Sequence, residues 1–118
     1  MSYPFELGGE TLWDAGYHSG QLYASVARGA AEFLEVPSGL SPSPQGGCDV
    51  ELAQFETFVQ ALHSLYTSTG SEVLHGLTRG LLVTSLVLLE RAGGVITLKP
   101  SHEAVLLAEK AALARTMA

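Results

Sequence analysis

Glu56, Gln60 and His63 stand four and three residues apart, so a helix through them puts a carboxylate and an imidazole on one flank. Such a pair can donate to a metal ion or serve as base and acid. A solvated flank beside an apolar stripe explains the same residues more simply. The histidines are His18, His63, His75 and His102, and none falls in an HExxH, HxH or Cys/His spacing typical of metal sites. Neither a metal nor a cofactor is predicted. Trp13, Tyr17 and His18, with Tyr23 further along, form an aromatic and titratable cluster near the start of a helix. Helix N-termini offer free N–H groups to anions, and aromatic walls are common in ligand pockets. The helical wheel nevertheless turns Tyr17 away from the Leu22–Val26 side and Tyr23 toward it, and anchoring of a hairpin onto the core explains Trp13 more cheaply. With His63 and Tyr66, these four residues make up the candidate ligand-binding set.

Cys48 precedes Asp49 at an expected helix start, where the dipole lowers a thiol pKa. Nucleophilic catalysis also needs a positioned base, and no neighbouring residue supplies one. Serine elbows of the GxSxG type and GxxxxGK[ST] phosphate loops are absent. Gly76 and Gly80 lie four apart without the Lys-Ser/Thr that phosphate binding needs, so close helix packing explains them better. No catalytic residue is assigned.

Elements must exist to hold these groups, and the most informative is the run Leu81–Leu89, LLVTSLVLL, with seven aliphatic side chains and no charge. Wound as a helix it is apolar on every side and must be surrounded by protein or lipid. Arg79 and Glu90-Arg91 bound it, and a bilayer takes roughly 20 apolar residues, so no membrane span is expected. It reads as the central part of a helix over 72–91, with Ser71 as N-cap and Gly93-Gly94 as terminator. Leu52, Phe55, Phe58, Val59, Leu62, Leu65 and Tyr66 form a clean stripe for a helix over about 50–66, capped by Asp49. A helix over about 15–35, capped by Asp14, is expected to bury Leu22, Tyr23, Val26, Ala30, Phe33 and Leu34. Gly16, Gly20 and Gly29 each weaken it by about 1 kcal/mol, unless a glycine on its buried side lets another backbone come close. A last, alanine-rich helix, capped by Ser101, reaches toward Ala114.

Tyr3–Leu7 and Thr11–Trp13 flank Gly8-Gly9-Glu10 as a small hairpin. VITLK, 95–99, reads as a short β-branched strand able to pair with it. Residues 36–48 hold three prolines and three glycines and read as a long loop in which neither helix nor sheet survives. The fold class is therefore mainly α. One domain, 1–118, clusters about four helices with a minor two- or three-stranded sheet from the N-terminal hairpin and the 95–99 strand.

Gly8-Gly9-Glu10-Thr11-Leu12-Trp13, then Val36-Pro37-Ser38-Gly39-Leu40, Phe55 with Phe58, and LVLLERAGG over 86–94 resemble the landmarks of a small family of uncharacterised actinobacterial proteins, carried as a domain of unknown function. The resemblance covers nearly the whole chain. It implies a bacterial cytosolic protein and implies no activity, substrate or catalytic residue.

Composition narrows the function classes. Six basic residues, scattered from Arg28 to Arg115, face twelve carboxylates for a net charge of −6, whereas nucleic acid binding needs clustered Lys and Arg. One cysteine excludes an intramolecular disulfide and points to a reducing compartment, and MSYPFELGGE is no signal peptide. A cytoplasmic protein is expected. Charged residues are only 15% of a 12.4 kDa chain against about 25% in typical domains, which leaves apolar surface for a partner. A homodimer is the simplest expectation.

Two functional readings follow. The first is a non-enzymatic binding or accessory protein, antidote-like or beside a biosynthetic enzyme, with Glu32, Glu35, Asp49, Glu51 and Glu56 as the acidic rim of its partner surface. The second is a small-molecule site, binding or acid–base, between the helices and the small sheet.

Overall fold

The computed structural model describes residues 1–118. The chain runs β1 (Ser2–Leu7), β2 (Glu10–Gly16), α1 (Tyr17–Leu34), β3 (Leu40–Pro42), β4 (Cys48–Val50), α2 (Leu52–Ser68), α3 (Glu72–Arg91) and α4 (Pro100–Ala114). Helices hold 59% of the residues, and a small sheet packs beside them.

The apolar run of α3 behaves as its composition requires. From Leu82 to Leu89 every side chain but Thr84 is buried, against Phe55, Phe58 and Leu62 of α2 among others. Length and composition alone would let α3 cross a bilayer, and half of its most apolar window is covered within the fold. Ser71 caps it, its hydroxyl accepting the Leu74 N–H at 3.2 Å. The other caps differ from expectation. Glu51, not Asp49, caps α2 by accepting the Gln54 N–H at 2.6 Å. Asp14 lies inside β2, and α1 starts from Gly16 without a side-chain cap. At α4 the helix opens on Pro100, whose missing donor is harmless in a first turn, so Ser101 is already helical.

The sheet is larger than expected and built differently. It has four strands in the order β2-β1-β4-β3, with β1 and β2 antiparallel, β1 and β4 parallel, and β3 and β4 antiparallel. The supposed loop over 36–48 contributes β3 and the start of β4. Its prolines do not prevent this, because Pro42 sits on an edge strand, where a missing N–H breaks no ladder. Gly39 makes the turn possible: φ is +75°, and a Cβ there would run into the backbone of Phe55.

Residues 95–99, expected as the hairpin's third strand, belong to no sheet: β4 takes one edge of the hairpin, and the segment pairs with neither outer strand. The segment lies along α2 instead, and side chains do what a neighbouring strand would have done. Glu56 Oε2 accepts the Val95 N–H at 2.8 Å, Gln60 Oε1 the Thr97 N–H at 3.1 Å, and His63 Nε2 the Lys99 N–H at 3.1 Å. Helical spacing of four and three thus matches every second residue of an extended chain.

α1 turns a different face inward than its large aliphatics suggest. Gly20, Tyr23, Ala24, Ala27 and Ala31 are buried, whereas Leu22, Val26 and Phe33 are exposed. Gly20 explains the preference for small residues: a Cβ there would lie 2.9 Å from Tyr3 and Ala15, so helix and sheet are in direct contact.

Candidate functional site

α1 meets α3 through one buried polar contact. The Tyr23 hydroxyl and Ser85 Oγ share a hydrogen bond of 2.6 Å. Burial pushes the Tyr23 phenol well above its ordinary range, only partly offset by that bond, so the hydroxyl stays protonated. The Tyr23 ring stands edge-on to Phe5 and Trp13 at 5.6 and 6.1 Å, and Phe5 stacks on Trp13 at 5.2 Å. The hairpin brings Phe5 and Trp13 together as cross-strand partners.

Beside this contact the two helices leave a groove of about 410 Å³. Trp13, Tyr23 and Leu81 form its aromatic and apolar wall, Gly76 and Gly80 its bare backbone, and Leu22, Val26 and Leu77 its projecting rim. Not one of its lining residues is Asp, Glu, Lys, Arg or His. Gly76 and Gly80 also border a shallower hollow of about 610 Å³ between α3 and α4, so they form a saddle between two depressions. The groove suits apolar side chains or an aromatic ligand and contains nothing able to move a proton at neutral pH.

The six residues of the candidate ligand set fall into three places. Trp13 and Tyr23 line the groove. Tyr17, 37% exposed, stands at α1's start with its ring 6.3 Å from Tyr3 and 5.6 Å from the exposed His18. His63 and Tyr66 lie on α2 beneath the 95–99 segment and α4. There Tyr66 stands between His75 at 4.7 Å and His102 at 5.8 Å, and His75 Nε2 lies 2.9 Å from the Tyr66 carbonyl oxygen. His75 and His102 come from α3 and α4, so no spacing along the chain announces this cluster. Burial pushes the His63 imidazole pKa down, and His102 and Lys99 push it further. The neutral ring is also what its hydrogen bond needs, since only an unprotonated Nε2 can accept the Lys99 N–H.

The five carboxylates of the supposed acidic rim also divide. Glu51 and Glu56 are engaged by backbone N–H groups. Glu32, Glu35 and Asp49 remain exposed, and Glu35 takes the left-handed conformation that ends α1, at φ 58°. Cys48 sits in β4, fully buried, with its thiol pushed up to about 11 by burial despite the opposing charge of Arg28. A protonated, covered thiol is a packing group rather than a nucleophile. No three His, Cys, Asp or Glu side chains converge as a metal site requires.

The chain belongs to the family of unknown function DUF6086, whose family model matches residues 1–118. Neither a curated protein nor a solved structure matches it.

Proposed function

We propose that this member of the family is a non-enzymatic binding protein that works through the α1–α3 face. The observation that carries the reading is the groove with its exposed rim: Leu22, Val26 and Leu77 are 66%, 45% and 71% exposed around a hollow with no charged side chain. Such side chains project into water at a cost that a protein partner removes. An accessory or antidote-like role fits a protein whose apolar face is its main asset. The acidic groups Glu32, Glu35 and Asp49 would steer a basic partner from a distance. A reducing, cytoplasmic setting suits the single covered thiol, and a bacterial, actinobacterial source remains part of this proposal.

A second reading keeps the same groove for a small aromatic or aliphatic ligand, favoured by the Trp13 and Tyr23 wall. Acid–base work is the weaker half of that alternative, because His18 and His63 do not line the groove.

A photo-activated crosslinking residue at position 77, in living cells of the natural host, tests the protein reading. A discrete protein adduct that disappears with Val26→Asp supports it. Absence of any adduct, with the chain folded and abundant, refutes it.

A further inference from the structure

We propose that the cavity between α3, α4 and the 95–99 segment binds a free α-amino acid with an apolar side chain, its zwitterionic head lying across Glu90 and Lys110. The site is separate from the α1–α3 face and does not depend on how that face is read.

Three pieces of local geometry build it. Leu86 and Glu90 stand four apart on α3, and Leu107 and Lys110 stand three apart on α4, so each pair shares one flank of its helix. Along the extended segment Ile96 and Leu98 alternate with their neighbours and so point to one side. All six line a cavity of about 210 Å³. A dry protein cavity of about 150 Å³ already takes up benzene, so this one suits a side chain between leucine and phenylalanine in size. Val95 and Leu107 line it and are also exposed, so the cavity opens to solvent between the segment and α4.

The polar side chains at this cavity are one cation and one anion. Lys110 Nζ lies 3.3 Å from Glu90 Oε2, and the lysine side chain is 19% exposed against 62% for the glutamate. A pair with so exposed a carboxylate adds little to stability. Neither charge has another partner within the chain, so ammonium hydrogens and carboxylate lone pairs are left for a visitor.

The pair also selects its visitor. A plain carboxylate set against Lys110 meets the like charge of Glu90, and a plain amine set against Glu90 meets that of Lys110. An α-amino acid carries both charges on one carbon. Its carboxylate can lie on Lys110 while its ammonium lies on Glu90, and four charges then alternate around a square of charge-assisted hydrogen bonds. The side chain leaves from the same carbon and enters the apolar cavity. Peptides lack this arrangement, because amide bonds separate their terminal charges.

Methyl NMR of the full chain, titrated with L-leucine to about 20 mM so that even millimolar binding registers, reads the proposal directly. Saturable shifts are expected at the methyls of Leu86, Leu98 and Leu107, and none at Leu22 or Leu77 on the α1–α3 face. Two analogues divide the leucine head: 4-methylpentanoate lacks the ammonium, and 3-methylbutylamine lacks the carboxylate. Each should bind about tenfold more weakly than leucine or worse, having lost one charge-assisted contact and met a like charge. Lys110→Met and Glu90→Gln should each weaken leucine binding about tenfold with unchanged helical circular dichroism. Glu90→Gln should in addition tighten 4-methylpentanoate, an inversion that general loss of structure does not produce. Absence of saturable shifts at the three cavity methyls overturns the proposal. Equal binding of leucine and 4-methylpentanoate by the unaltered chain overturns it too.

Discussion

Acidification should loosen the fold through one residue, His63. It is 3% exposed, and its Nε2 accepts the Lys99 N–H at 3.1 Å. A proton on that nitrogen abolishes the acceptor and places a charge in a covered site near Lys99 and His102. The folded pKa is therefore depressed below the value of 6.5 that the unfolded chain shows. Below that value the unfolded chain binds a proton that the folded chain refuses. His63's contribution is accordingly intact above pH 6.5 and is lost as pH falls from there toward the folded pKa. One proton changes stability by at most about 1.4 kcal/mol per pH unit. His63→Gln removes the titration but keeps an amide oxygen near the Nε2 position, so its cost at pH 7.5 should stay within about 1 kcal/mol, the worth of one ordinary hydrogen bond. Urea unfolding followed by circular dichroism, for wild type and variant between pH 7.5 and 5, isolates the effect, because His18, His75, His102 and the carboxylates are common to both. The wild-type stability curve should fall more steeply below pH 6.5, and the two curves should converge or cross. Parallel curves would show that His63 titrates alike in folded and unfolded chains and would refute the reasoning.

Tyr23→Phe strands the buried Ser85 hydroxyl and should cost about 1–3 kcal/mol in denaturant titrations, whereas Tyr23→Phe with Ser85→Ala should recover part of that loss. Glu35→Gly removes a side chain from a left-handed helix end and should raise the melting temperature, in keeping with a gain of about 0.5–1 kcal/mol. Amide exchange followed by NMR should alternate along the extended segment: Val95, Thr97 and Lys99, whose N–H groups bond to α2 side chains, exchange slowly, and Ile96 and Leu98 exchange quickly. Uniform exchange from 95 to 99 would contradict the observed pairing.

The helices that were legible along the chain are those whose large apolar residues do the packing. α3 begins and ends where its cap and glycines place it, and the Phe55–Phe58–Leu62 stripe of α2 is buried as its period requires. α1 was legible as a helix but not in its orientation. Its contact with the sheet is so close at Gly20 that no side chain fits there, and the small residues Ala24, Ala27 and Ala31 continue the buried face, so hydrophobic size points the wrong way. β3 escaped because three residues ending in proline leave no alternating pattern to read. The 95–99 segment is as extended as its β-branched residues demand, but extension does not reveal what will pair with it. At the candidate site, Trp13 and Tyr23 were within reach of local reasoning, being ten residues apart on adjoining elements. The α3 half of the groove and the histidines around Tyr66 meet only through tertiary packing.

Arg91 joins the two ends of the chain. Its guanidinium donates to the Leu12 carbonyl at 3.1 Å and to the carbonyls of Ala114 and Met117 at 3.3 and 2.6 Å. One side chain thereby bolts the N-terminal hairpin to residues made more than a hundred positions later. Pairing with β4 and packing against α1 hold the hairpin from within the first fifty residues, and Arg91 adds a second clasp that reaches residues 114 and 117. Arg91→Leu should therefore loosen the hairpin's β2 strand and the turn after α4 together, while the β1–β4 pairing stays in place.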